Sequence, residues 1–174
     1  MLKRGAPLWR LSFPVLGRGI VVIAIRMNYL RLFLMVAVAG LIGTCSALLV
    51  DAFFVHVVGL VGCDEFPKNG IASQWYMVIL IGPAIETLIL SCFISLASNF
   101  VEWKSVSLCS AIFWSLLHGF FCVLWGVVVF IPFLIDSLIY MFVRKRFSFG
   151  LAFLCAMAVH SIYNFFSFII YLYR

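Results

Sequence analysis

The stretch WYMVILIGPAIETLILSCFISLA, residues 75–97, contains a single carboxylate and no basic side chain: Glu86, three residues after Pro83. It exceeds the ~20 residues that cross a bilayer as a helix. A lone carboxylate at that depth costs between ~3 and more than ~10 kcal/mol on different scales, so Glu86 requires a partner or a water-filled cavity. Two later segments place a histidine in a similar apolar setting: Trp114-Ser115-Leu116-Leu117-His118 and His160-Ser161-Ile162-Tyr163-Asn164. The three segments are expected to converge on one buried polar site.

Composition supports a membrane fold. The chain has 174 residues, a single domain by length, with 66% hydrophobic and only 10% charged residues. Its mean hydropathy is +1.22. Soluble domains carry about 25% charged residues, so the fold class is all-α, a polytopic transmembrane helical bundle. The net charge of +6 does not indicate nucleic acid, because the basic residues flank apolar segments, as orientation in a membrane requires. The partners to expect are membrane lipid and a membrane-associated peptide or protein, with no nucleic acid.

Residues 1–31 hold Lys3, Arg4, Arg10, Arg18, Arg26 and Arg31 and no acid. The apolar piece Ile20–Ile25 is too short, and too interrupted by arginine, for a cleavable signal peptide. This segment is expected to lie along the membrane surface, ahead of a transmembrane domain at 32–174 whose motif-bearing core is 75–170. Five spans are expected within that domain: 32–60, 75–98, 106 to about 119, 123–143 and 150–173. The break between the third and fourth is expected at Gly119 or Gly126, and a turn-rich loop fills 61–73. With the N-terminus inside, ten basic residues face the cytoplasm and two, Lys68 and Arg174, face away, which predicts a cytoplasmic N-terminus.

Six cysteines occur, five of them within apolar runs and none in a C-x-x-C pair. A disulfide framework or structural zinc site needs tighter spacing and polar loops. The cysteines therefore read as small apolar packers.

Depth links the ionisable residues. Glu86, His118 and His160 each lie ten to twelve residues from the cytoplasmic end of their spans. At ~1.5 Å per residue that puts all three some 15–20 Å deep, near the midplane. Trp114 and His118 are four apart, as are His160 and Asn164, so each pair shares a helix face. A glutamate held away from bulk water is suited to act as general base toward a water molecule. An imidazole can hold that water or the Glu, while the Asn amide and a histidine N–H can donate to a developing oxyanion. Two His and one Glu also form the ligand set of a hydrolytic zinc site, with Glu86, His118 and His160 as ligands. However, no H-E-x-x-H occurs and no two ligands sit at i,i+4 on one helix, so no cofactor is expected and zinc stands as the alternative. Asp51, His56 and Asp136 read as structural or near a water-accessible end, with orientation of a histidine as a further role for Asp136.

On these residues the chain resembles the CAAX protease and bacteriocin-processing (CPBP, or Abi) family of intramembrane proteases. The likeness lies in Pro83-Ala84-Ile85-Glu86-Thr87, in Trp114…His118-Gly119, in His160…Asn164, and in the basic Arg144–Arg146 before the last helix. It covers roughly residues 75–170. The resemblance implies hydrolysis of peptide bonds at or within the membrane, in a bacterial cytoplasmic membrane. It also implies that Glu86 activates water, His160 works with it, Asn164 helps stabilise the oxyanion and His118 is the second-motif histidine. The family's second glutamate is Thr87 here, its arginine is Ser91, and Trp114 replaces the usual Phe. An inactive relative acting as a bacteriocin-immunity or binding partner is the alternative function. A small proton-relay transporter is a third, disfavoured because the chain has no internal repeat.

Overall fold

The computed structural model describes residues 18–59 and 75–172, with the side chains of 18–28 and 171 left aside. The expected loop at 61–73 and the first part of the basic segment lie outside the described residues. The chain divides into two units at residue 34. The described residues of the first unit are helical from Arg18 and belong to α1 (Arg18–Phe53), which a π-helical turn, Phe54–Val58, extends in the second unit.

The second unit is all helix among the described residues. A widened turn at Met77–Ile81 leads into α2 (Gly82–Ala97), followed by α3 (Trp103–Phe121), α4 (Val123–Arg146) and α5 (Phe149–Leu172). Among the described residues, four helices are long and apolar enough to cross a membrane: Tyr29–Val58, Met77–Ala97, Val123–Arg146 and Phe149–Ile170. The expected third span is the helix α3, which carries Lys104, four serines and His118 and is less apolar than these four. Nevertheless α3 runs beside α4 along its length. Lys145 Nζ lies 4.1 Å from the Trp103 ring at one end, and the Ser115 hydroxyl donates to the Gly126 carbonyl toward the other. Two of the α3 serines, Ser107 and Ser110, are fully buried, and the Ser137 hydroxyl of α4 donates to Ser110 Oγ at 3.0 Å.

The chain reverses at Cys122, where the backbone becomes extended between the two helices, and not at Gly119 or Gly126. Those glycines instead let α3 and α4 touch backbone to backbone. A Cβ at Gly126 would stand 2.6 Å from Gly119 Cα and 2.8 Å from Gly119 N. Small residues serve this purpose in membrane bundles, where close approach replaces the hydrophobic effect as the attraction between helices. Cys122 is also a correction: it is disulfide-bonded, whereas Cys45, Cys92, Cys109 and Cys155 are free. Standing outside a helix, its sulfur is not held within one apolar face.

The other helices pack through similar faces. Val36, Ala39, Ala47 and Thr44 of α1 are buried on one stripe. On that stripe Gly40 approaches Ile162 so closely that a Cβ would lie 2.6 Å from Ile162 Cγ2. The buried face of α2 is Pro83, Thr87, Leu90, Ser91 and Ile94, at helical spacing. In α4 the buried positions recur from Leu124 to Val143, and this helix packs most extensively against α3 and α5.

Candidate active site

Glu86, His118, Asp136 and His160 come from four different helices, and packing around α4 brings them together. Glu86 lies at the edge of the buried face of α2, one turn beyond Pro83. Its Oε2 stands 3.6 Å from His160 Nε2 and 4.0 Å from His118 Nε2. On the other side of the imidazole, His160 Nδ1 is 3.4 Å from Asp136 Oδ2. Asp136, read from the sequence as structural or near a water-accessible end, is instead 2% exposed and part of the cluster. The side chains of Glu86 and His118 remain 28% and 23% accessible, so the site is open on their side and closed behind His160.

Phe133 orders the rings. It stacks on Trp114 at 4.8 Å between centroids and 4° between planes. Its ring also meets His160 edge to face at 5.1 Å and lies 5.4 Å from His118. Offset stacks and edge contacts of this kind contribute about 0.5–1.5 kcal/mol each beyond area burial. Trp114 thus serves as a wall beneath His118, four residues on, and its carbonyl accepts a 2.9 Å hydrogen bond from His118 Nδ1.

Asn164 is held differently from the other three expected site residues. Its Nδ2 donates to the Val78 carbonyl at 2.9 Å. The local backbone explains why that carbonyl is available. In the widened turn the Gly82 N–H reaches back five residues to Met77 O, and the next N–H in that ladder would serve Val78 O. The next residue is Pro83, which has no N–H. Asn164 fills the gap, ties α5 to α2, and sets His160, one turn earlier, opposite Glu86, one turn past Pro83. The second amide hydrogen of Asn164 is not used in this bond.

Unpartnered polar atoms gather here. Among the described residues, the buried side-chain atoms lacking a hydrogen bond are Glu86 Oε2, Thr87 Oγ1, Trp114 Nε1, Asp136 Oδ1, His160 Nδ1 and Ser161 Oγ. All six belong to site residues or to a neighbour in sequence. Buried polar groups are overwhelmingly satisfied in folded proteins, so a cluster of exceptions marks a place prepared for a ligand, a water or a reaction. A small cavity lies beside Asp136 and His160, bounded across from them by Gly43 of α1.

Glu86, His118 and His160 are the residues that could supply ligands to a metal. No group of three His, Cys, Asp or Glu side chains among the described residues is arranged to hold one. Thr87 and Ser91, where the resembled family has Glu and Arg, are both fully buried, and the Ser91 hydroxyl donates to Leu88 O within its own helix at 2.8 Å. His56 lies in the π-helical turn that ends α1, and among the described residues no hydrogen bond or ion pair joins it to the cluster. Sequence spacing pointed to Glu86, His118, His160 and Asn164. Asp136 it offered only as a residue that could orient a histidine, and Phe133 it passed over; their i,i+3 spacing inside an apolar helix is the signal that joins them. No family model, curated protein or solved structure matches this chain.

Proposed function

We propose that this protein is an intramembrane endopeptidase in which Glu86 activates a water molecule against a peptide bond of a membrane-associated substrate. The observation that carries this is the approach of His160 and His118 Nε2 to one Glu86 oxygen, at 3.6 and 4.0 Å, in an apolar bundle left accessible on that side. Glu86 takes a proton from water as the water oxygen bonds to the scissile carbonyl carbon. The remaining Asn164 N–H donates to the oxyanion. Collapse of the tetrahedral intermediate breaks the C–N bond, and Glu86 returns its proton to the leaving nitrogen. His160 holds the Glu–water pair, and His118 bounds it on the other side. The resemblance to the CPBP family in the same segments supports the same chemistry.

The N-terminus is assigned to the cytoplasm of a bacterial cell on the ten-to-two distribution of basic residues. The disulfide at Cys122 supports this reading, since disulfides persist in oxidising compartments and a cytoplasmic N-terminus would have the α3–α4 turn face away from the cytoplasm. A second reading, a non-catalytic binding or immunity partner, is favoured by the buried Thr87 and Ser91, which leave the first motif without its second acid and its arginine. In lipid vesicles, wild-type protein is expected to cleave membrane-anchored peptides. Glu86→Gln is expected to lose at least ~10²-fold in rate while keeping the wild-type melting behaviour. Equal rates would overturn the hydrolytic reading.

A further inference from the structure

We infer that Asp136 is a positioning residue: with the Trp114 carbonyl, it fixes both site histidines in one tautomer, so that both imidazoles present a bare Nε2 to Glu86. For His118 the assignment follows from its partner. A carbonyl oxygen only accepts, so the 2.9 Å contact with Trp114 O places the proton on Nδ1. The neutral ring then has a lone pair at Nε2, the atom 4.0 Å from Glu86.

For His160 two carboxylates compete for one ring proton, Asp136 at Nδ1 and Glu86 at Nε2, at 3.4 and 3.6 Å. Asp136 is 2% exposed and Glu86 28%, so the Glu86 carboxyl as a whole keeps more contact with the open side although its Oε2 is itself buried. A carboxylate with less water around it is the stronger acceptor, because its hydrogen bonds act in a lower dielectric. Asp136 therefore wins the proton. Its Oδ2 stands 3.4 Å from Nδ1, and Nδ1 makes no completed hydrogen bond among the described residues, so a small rotation of the ring or the carboxyl closes this one. The contact is longer than a tight hydrogen bond, as is common in sites free of substrate. Phe133, one turn before Asp136, packs edge-on against the same imidazole, so α4 sets both the plane of the ring and its proton.

The consequence rests on the hydrolytic reading above. With Nε2 bare on both rings and Glu86 ionised, three acceptors face one another, and a donor must sit between them. Water is that donor: one O–H points to Glu86 Oε2, the other to His160 Nε2, and an oxygen lone pair is left to attack. Were the proton on Nε2 instead, His160 would bond Glu86 directly and compete with the water. Second-shell carboxylates commonly select a histidine tautomer in this way.

The test is the ¹⁵N spectrum of histidine-labelled protein in lipid nanodiscs, with the three histidines assigned through His56→Gln and His118→Gln. Wild-type His160 is expected to show a protonated Nδ1 and a bare Nε2. Asp136→Asn is expected to move the proton to Nε2 and leave His118 unchanged. A wild-type His160 protonated at Nε2, alone or together with Nδ1, overturns the inference even if Asp136→Asn fails to fold. An unchanged His160 in a folded Asp136→Asn also overturns it. In the peptide assay Asp136→Asn is expected to lower kcat on the order of 10²–10⁴-fold with KM unchanged. The expected spectra with no cleavage by the wild type would sink the hydrolytic reading and leave the role of Asp136 standing.

Discussion

Asn164 serves structure and, on the proposed mechanism, catalysis, and one double-mutant cycle separates the two. Asn164→Ala removes the 2.9 Å hydrogen bond to Val78 O. That carbonyl lies in the widened turn before Pro83, and no backbone N–H can replace the amide. A buried acceptor left unmet costs about 1–3 kcal/mol. Pro83→Ala puts an N–H back at the position where the ladder is broken. In the Pro83→Ala background, Asn164→Ala should therefore destabilise by less, with a coupling of about 1 kcal/mol or more. Thermal unfolding in detergent of wild type, both single variants and the double variant measures this coupling, and packing lost with the Pro83 ring cancels in the cycle. Cleavage should not recover alongside stability, because the alanine N–H of α2 cannot replace the second amide hydrogen at the substrate. Additive losses of stability would refute the account of the turn. Recovery of cleavage in the double variant would refute Asn164 as oxyanion donor.

Alanine at Gly126 and at Gly119 should differ sharply, although the two glycines face each other. A Cβ at Gly126 meets Ser115 O and the Gly119 backbone well inside contact distance, whereas one at Gly119 lies 3.6 Å from Gly126 Cα. Gly126→Ala is expected to destabilise by about 1–3 kcal/mol and to displace His118, while Gly119→Ala stays within about 1 kcal/mol of wild type; equal melting of the two would contradict the packing described. Thr87 is fully buried with an unpartnered hydroxyl, so Thr87→Val should be neutral or stabilising in a melting assay. Thr87→Glu and Ser91→Arg should fail to yield folded protein, since each adds an unpaired charge to a filled site. Treatment with a strong zinc chelator is expected to leave cleavage unchanged; loss of cleavage, restored by zinc, would recast Glu86, His118 and His160 as ligands.

How much of this was legible in the residues differs from feature to feature. Glu86 and His160 stood out because ionisable groups inside apolar helices are costly, and the common depth of Glu86, His118 and His160 needed only the helical rise. Asp136 could be given an orienting role but no particular histidine, because a single acid in an apolar run gives no sign of which neighbour it faces; that depends on the rotation of α4 against α5. The α3–α4 break fell at Cys122 because two glycines read as breakers are here contact points between backbones, a role that only the partner helix reveals. The third span was legible as an apolar run and is the helix α3, but that Ser110 and Ser115 find their partners on α4 is again something only the partner helix reveals. The link from Asn164 to Val78 O was written in Pro83, whose missing N–H frees a carbonyl, but the widened turn that selects Val78 depends on backbone geometry.

The most direct test of Glu86 as a catalytic base needs no knowledge of the substrate. Cells carrying wild-type protein would be compared with cells carrying Glu86→Gln at equal abundance, by identifying all new peptide termini of their membrane proteins. Hydrolysis by this site predicts a set of termini found only with the wild type, and those termini name the substrates. Identical sets would contradict it and leave the Glu86 cluster as a binding site.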